Sequence, residues 1–126
     1  MRMHLIAVIA MFLATNAGAA AAQTRDAAVQ RANRMAYEAA MKCFVTAGAA
    51  SGEREDAGDR AAAARYEQAA RRSFDTASRL GEVLGYSGSR INQDFGLAQT
   101  RELPKLVADA TYNRNAAATC RAIGLM

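Results

Sequence analysis

The fold is decided by residues 64–84, which read ARYEQAARRSFDTASRLGEVL. Apolar residues return here at intervals of three and four, the spacing that places side chains on one face of an α-helix. The buried stripe predicted from this spacing consists of Tyr66, Ala70, Phe74, Ala77, Leu80 and Leu84. Acidic residues at 53–56 favour a helix start and Gly85 favours a stop, so we predict an amphipathic helix over residues 53–84.

The same spacing continues on both sides of this segment. Upstream it predicts a helix over residues 24–47, with a stripe formed by Val29, Ala32, Ala36, Ala39 and Cys43, and a turn at the glycine-containing residues 48–52. Downstream it predicts a short helix over residues 90–98 and a longer one over residues 101–123, with Pro104 in the first turn. The inward positions of the last helix are Leu103, Leu106, Ala110, Asn113, Ala117 and Cys120. No segment alternates as a strand does, so the chain is predicted to be all-α.

Cys43 and Cys120 are the only cysteines, and each lies on an apolar stripe near the end of a predicted helix. At a rise of ~1.5 Å per residue, the second helix descends ~45 Å and residues 89–120 climb ~47 Å, which brings Cys120 back to the level of Cys43. We therefore predict an intramolecular disulfide in a small up-down-up bundle of three legs, the last leg split into a short and a longer helix. Two buried free thiols and an intermolecular bridge are the alternatives.

Residues 1–22 have the features of a secretion signal. Arg2 is followed by an apolar run at residues 5–14 and by small residues up to Ala22, before Gln23. This order is typical of signal peptides, and the run is shorter than the ~20 residues of a membrane span. We predict cleavage after Ala22 or Ala19, a single helical domain over residues 23–126, and a periplasmic or secreted location with no transmembrane segment. An uncleaved anchor is the alternative.

Composition limits the chemistry of the mature chain. Residues 23–126 contain only 15 Leu, Ile, Val and Phe residues, so the core is thin and rich in alanine. The only histidine, His4, lies in the predicted signal. Its loss excludes Ser-His-Asp, histidine-zinc and histidine-haem sites, so we predict no enzyme activity, no cofactor and no metal.

Individual polar and soft side chains carry further predictions. Met35 and Met41 are predicted to fill gaps in the core. The four tyrosines are predicted to pack at core edges with their hydroxyls in water. Asn113, on an otherwise apolar stripe, sets the register or marks where the last helix turns away. Residues 87–90 together with Asp94 form either a ligand site at a helix start or a capped turn.

Four arginines form a possible interaction face, called here the arginine face: Arg65, Arg71, Arg72 and Arg79. Three of them recur every seven residues and share one side of the helix. This face either meets an acidic partner or anionic lipid headgroups, or it is a solvated face paired with Glu67, Asp75 and Glu82. Aromatic residues do not alternate with the bases, so nucleic-acid binding is not expected.

The sequence therefore predicts an exported, non-enzymatic binding or interaction module of the cell envelope. The expected partner is another envelope protein or an anionic surface, and the sequence does not specify the oligomeric state. A periplasmic chaperone or stress-type protein is one alternative. A small-molecule or lipid carrier is the other, although closely packed alanine-lined helices leave little room for a pocket.

Overall fold

The computed structural model describes the backbone of residues 2–126 and the side chains of residues 18–126. Its described backbone is helical with no strand, which confirms the predicted all-α class. The four helices are α1 (Arg2–Asp56), α2 (Arg60–Val83), α3 (Gly88–Ala108) and α4 (Ala110–Ala122).

The chain divides into two compact units, residues 1–32 and residues 33–126. In the first unit all described side chains, those of residues 18–32, are exposed. The apolar run of the predicted signal lies outside the described side chains, and the boundary after Ala22 stays a prediction. Across residues 18–126 every buried side chain belongs to the second unit. Among the residues that the structure describes, no helix has the length and apolarity needed to cross a bilayer.

The first turn lies later than predicted. α1 continues through Gly48 and Gly52 to Asp56, and the chain reverses at Gly58, which has a φ of +77°. The Asp59 carboxylate then accepts the backbone N–H of Ala62 at 3.1 Å and caps α2. A glycine inside a helix costs only about 1 kcal/mol, whereas a glycine at positive φ followed by a capping aspartate ends one helix and starts the next. Glu53, Glu55 and Asp56 therefore lie in the last turn of α1 and not at the start of α2.

The break between the last two helices is also displaced. We expected it near residue 99, but α3 continues to Ala108 and contains Pro104 in its interior. Thr100 does not cap a new helix, because its hydroxyl donates back to the Gly96 carbonyl at 3.0 Å. Asp109 caps instead, with its carboxylate accepting the Tyr112 N–H at 3.0 Å.

Contacts with α1 set the direction of α2 and α4. The Ser51 hydroxyl donates to the Ala63 carbonyl at 2.9 Å, and the ring centroids of Phe44 and Phe74 lie 5.9 Å apart, so α2 is antiparallel to α1. Along α4 the partners on α1 move backwards, from Glu53 opposite Asn113 to Cys43 opposite Cys120. The structure thus does not confirm three legs with the last two helices in one leg, because α4 runs back along α1.

The disulfide between Cys43 and Cys120 forms as predicted, with the two Cα atoms 5.6 Å apart and both residues buried. Cys43 lies 13 residues before the end of α1, which corresponds to ~20 Å of helix. α4 also has 13 residues, so it spans the same length in the opposite direction. The bridge therefore joins the last turn of α4 to a point between three and four turns before the end of α1.

The main core lies between all four helices and contains few large side chains. Its buried members are Tyr37, Ala40, Met41, Val45, Ala77, Ile91, Phe95, Ala98, Leu106 and Ala116. Phe74 stacks on Phe95 with centroids 4.6 Å apart, and Phe44 packs edge-on against Phe95 at 5.0 Å. Small residues on α2 permit this close packing; a Cβ added at Gly81 would lie 2.7 Å from Ile91 Cδ1.

The buried faces differ from the predicted stripes. On α2 the buried residues are small, namely Ala62, Ala63, Ala69, Ala70, Ser73, Ala77 and Gly81, and Phe74 is exposed at the margin. On α1 the predicted positions Val29, Ala32 and Ala36 are exposed. Met41 fills the core as expected, but Met35 is exposed. The buried side of each helix differs from the predicted one because the alanine-rich helices have several sides apolar enough to bury. Contacts between the aromatic residues select which side faces the core.

Candidate binding cleft

A surface cleft of about 320 Å³ opens between α1, the α2–α3 turn and the first half of α3. Its polar lining consists of three arginines, two carboxylates and two tyrosines: Arg34, Arg90, Arg101, Glu38, Asp94, Tyr37 and Tyr86. Met41, Leu97 and Ala98 supply the apolar part of the wall. A volume of this size lies at the lower end of the range for small-molecule sites.

Tyr37 of α1 is held in the wall of the cleft by contacts with α3 and with the α2–α3 turn. It is buried, and its hydroxyl donates to Asp94 Oδ2 at 2.7 Å. Its ring meets the Tyr86 ring edge-on, with centroids 5.3 Å apart. Burial, followed by the bond to Asp94, raises the pKa of Tyr37 well above the ordinary value for tyrosine. The hydroxyl is therefore bonded to protein, which corrects the prediction that it lies in water.

The start of α3 positions Arg90. The Ser87 hydroxyl accepts the Arg90 N–H at 3.1 Å, so the turn is capped, as one of the two interpretations predicted. The Arg90 side chain then lies with Cζ 3.7 Å from the centroid of Tyr86 and Nε 3.5 Å from Asp94. Asp94 thus holds both Tyr37 and Arg90, and the guanidinium stays half-exposed at the mouth of the cleft.

Arg101 connects the cleft to a second polar cluster around Glu102. Arg101 Nε lies 3.1 Å from Glu102 Oε1, which leaves the outer guanidinium nitrogens available to the cleft. Glu102 is buried and also accepts a hydrogen bond from the Tyr112 hydroxyl. The only two lysines, Lys42 and Lys105, lie 4.8 Å and 5.7 Å from the Tyr112 ring centroid.

The environment of Glu102 favours its ionised form. Burial alone would raise the pKa of this carboxyl, but the hydrogen bonds from Tyr112 and Arg101 and the charges of Lys42 and Lys105 lower it below the ordinary value. Sequence reasoning missed Glu102. The signal was present, since position 102 continues the three- and four-residue spacing of Phe95, Ala98 and Leu106. An acid on that stripe predicts a buried carboxylate with several partners.

All four residues of the arginine face are exposed on α2. Arg71 Nη2 lies 2.8 Å from Glu67 Oε1, but the other three approach no carboxylate within 4 Å among residues 18–126. The ion pairs expected with Asp75 and Glu82 are thus not formed there. Arg65 and Arg72 border a shallow cavity together with Met126, and whether this face binds a partner stays a prediction.

The charged side chains that line the cleft are three arginines and two carboxylates. Guanidinium groups bind carboxylates and phosphates through paired N–H donors, and the arginines here outnumber the carboxylates. Among the described residues, no group of three or more His, Cys, Asp or Glu side chains is placed to hold a metal ion.

Comparison of the chain with family models, with curated proteins and with solved structures gives no match. What the protein binds must therefore be inferred from its own residues.

Proposed function

We propose that the protein is an exported, non-enzymatic binding module of the cell envelope, and that the cleft takes a small amphipathic anion. The observation that carries this proposal is the meeting of three arginines and two tyrosines around one cavity of about 320 Å³. Such a lining matches a ligand with a carboxylate, sulfonate or phosphate head and an apolar or aromatic body.

The disulfide supports the exported location. A bridge between residues 77 positions apart is typical of proteins that fold in an oxidising compartment such as the periplasm or the extracellular space. In this proposal residues 1–22 are removed as a signal peptide and residues 23–126 form the mature domain. Helices α1, α2 and α3 run up, down and up, and α4 returns along α1.

Preorganisation of the cleft favours binding over catalysis. Asp94 already accepts a hydrogen bond from Tyr37 and forms an ion pair with Arg90, and Arg90 already stacks on Tyr86, so these side chains need little reordering when a ligand arrives. The same arrangement leaves the Tyr37 hydroxyl poorly placed to give up its proton, because burial and the hydrogen bond to Asp94 raise its pKa. Arg34, the half-exposed guanidinium of Arg90 and the outer nitrogens of Arg101 are the groups that a ligand head would meet.

The test uses 8-anilinonaphthalene-1-sulfonate, an aromatic anion whose fluorescence rises on binding, titrated into the oxidised protein. We expect Arg34→Gln and Arg90→Gln each to weaken binding about tenfold, the effect of losing one charge-assisted hydrogen bond. Arg65→Gln, which removes an equal charge from the arginine face, is the matched control and should leave binding unchanged. Displacement of the probe by dodecanoate, and not by dodecanol, would confirm that the head is the anionic part.

The arginine face supports a second candidate function, that of an interface for an acidic envelope protein. Its support is the lack of a nearby carboxylate for three of its arginines among residues 18–126. The titration separates the two ideas. If Arg65→Gln weakens probe binding and the two cleft variants do not, the cleft proposal is wrong and the arginine face is the anion site.

A further inference from the structure

The side of α3 that faces away from the core carries a row of exposed apolar residues, called here the outer stripe: Leu97, Leu103, Pro104 and Val107. Leu97 is 56%, Leu103 42% and Val107 75% exposed, so these large side chains are open to solvent. At about 100° per residue the four positions fall within an arc of about 120°. The opposite arc holds the buried residues Phe95, Ala98, Glu102 and Leu106.

A basic row borders the outer stripe along one edge. Arg90, Arg101 and Lys105 are exposed and follow the stripe on the helix surface, within about 80° of Leu97. The two acids of α3 pair with this row, Asp94 with Arg90 and Glu102 with Arg101, but they lie inward. The acid side chains are 25% and 6% exposed, whereas the two arginine side chains are 55% and 57% exposed, so the accessible surface along the row is mainly basic. α3 therefore has one side in the core, one basic side and one exposed side that, between Leu97 and Val107, is apolar except for Thr100.

We propose that the outer stripe docks the protein on a bilayer that contains anionic phospholipid. A helix that lies in the plane of a membrane buries an apolar side in the headgroup boundary while adjacent basic side chains meet the phosphates, and α3 offers both in register. A second copy of the chain is a poorer occupant, since seating two stripes together would bring two basic rows close to each other. The docking surface shares Leu97, Arg90 and Arg101 with the lining of the cleft. Lys105 and Val107 lie outside the cleft, so variants at these two positions test docking separately from what the cleft binds.

The experiment measures co-sedimentation of the oxidised protein with vesicles of phosphatidylcholine alone and of phosphatidylcholine mixed with phosphatidylglycerol. Intact mass first establishes that residues 1–22 have been removed, so that the leader does not contribute apolar surface. We expect binding to the mixed vesicles, weak binding to the neutral ones, and a loss of binding as salt is raised.

Two matched pairs of variants assign the binding to α3. Val107→Asp should weaken vesicle binding about tenfold, whereas Val83→Asp, which changes a valine on α2 that is 64% exposed, should not. Lys105→Gln should weaken it about fivefold, as expected for one basic residue near an anionic surface, whereas Arg79→Gln should not. Circular dichroism and dye binding in the cleft, unchanged in Val107→Asp, show that the variant is folded.

Several outcomes would overturn the proposal. Equal binding to neutral and anionic vesicles removes the role of the basic row, and equal effects of Val107→Asp and Val83→Asp remove the role of the outer stripe. A dimer in light scattering that Val107→Asp converts to a monomer would show that a second copy covers the stripe. The two proposals can fail separately. If the protein binds the dye but not the vesicles, only the membrane proposal is wrong. If it binds the vesicles but not the dye, only the cleft proposal is wrong.

Discussion

Removal of the disulfide should take away a large share of the stability of this domain. Replacing Cys43 and Cys120 together by alanine frees a loop closed across 77 positions. Chain-entropy reasoning for a loop of this length gives about 4.5 kcal/mol at 25 °C, by which the bridge destabilises the unfolded chain. A domain of this size has a free energy of unfolding of roughly 5–15 kcal/mol, so we expect the midpoint of thermal unfolding to fall by about 20 °C or more.

The loss should begin at α4. This helix has 13 residues, near the length at which an isolated helix is marginal in water, and among its residues only Ala116, Ala117 and Cys120 are buried. Without the bridge its side-chain hydrogen bonds to the other helices are few: the Tyr112 hydroxyl donates to Glu102, and the Asn113 amide donates to the Leu106 carbonyl at 3.0 Å and to Glu53 at 3.3 Å. Backbone amides in α4 should therefore exchange with solvent faster than those in α2 and α3 once the bridge is absent.

The assay is urea unfolding followed by circular dichroism, on the oxidised protein, on the same protein under dithiothreitol and on the double alanine variant. The reduced protein and the variant should agree, and both should show a steeper dependence on urea because the uncrosslinked denatured chain exposes more surface. Dithiothreitol must have no effect on the variant, which serves as the control. A loss below about 1 kcal/mol, or amide exchange in α4 no faster than elsewhere, would refute the reasoning.

Four further substitutions test the packing and the polar clusters. Gly81→Ala should destabilise the protein by about 1–3 kcal/mol in thermal unfolding, because its new Cβ would lie 2.7 Å from Ile91 Cδ1, whereas Gly96→Ala, with no atom within 4 Å, should stabilise it by up to about 1 kcal/mol. Glu102→Gln should make the stability of the protein fall less steeply at acid pH. The pKa of Glu102 in the folded protein is below its ordinary value of 4.5. The contribution of the ionised carboxylate to stability is therefore present above pH 4.5 and is lost as pH falls through the folded pKa. Tyr37→Phe should abolish the tyrosine that ionises last in an alkaline absorbance titration. The raised pKa keeps the Tyr37 hydroxyl protonated above the ordinary value of 10.0 while the protein is folded. The contribution of this hydroxyl to stability therefore declines as pH rises beyond 10.0.

Each of these predictions has a result that would contradict it. Equal effects of the two glycine substitutions would mean that the close approach of α2 and α3 does not constrain residue 81. An acid transition in Glu102→Gln identical to that of the unchanged protein would place the acid sensitivity in other carboxylates. If the tyrosines of the unchanged protein all ionise together before unfolding, the bond from Tyr37 to Asp94 is not maintained in solution.

The helix ends show why boundaries were harder to predict than elements. The sequence predicts helix ends near residues 47 and 98, but α1 and α3 pass through both positions. The actual boundaries lie at Asp59 and Asp109, whose carboxylates each accept a backbone N–H from the first turn of the next helix. Local propensities differ by about 1 kcal/mol or less, so packing of Ala47 and Leu106 into the core is enough to decide where a helix continues.

The candidate site was visible in the sequence only in part. The sequence predicts a capped turn or a ligand site at residues 87–90 with Asp94, and of these residues Arg90 and Asp94 line the cleft. The opposite wall comes from Arg34 and Tyr37, more than 50 residues upstream, and no local pattern connects the two. Glu102 follows the buried spacing of α3, so its burial was predictable in principle, but its partner Tyr112 lies on another helix.

The sequence by itself determined the all-α class and the pairing of Cys43 with Cys120. Periodicity at three and four residues is a local property of the chain, and two cysteines permit a single intramolecular pair. Tertiary structure alone decided which side of each helix is buried, that α4 returns along α1, and that a cleft and a buried carboxylate arise between distant segments. The physical reason is the alanine content: small side chains give each helix several nearly equivalent apolar sides, so the few aromatic contacts and caps select the arrangement.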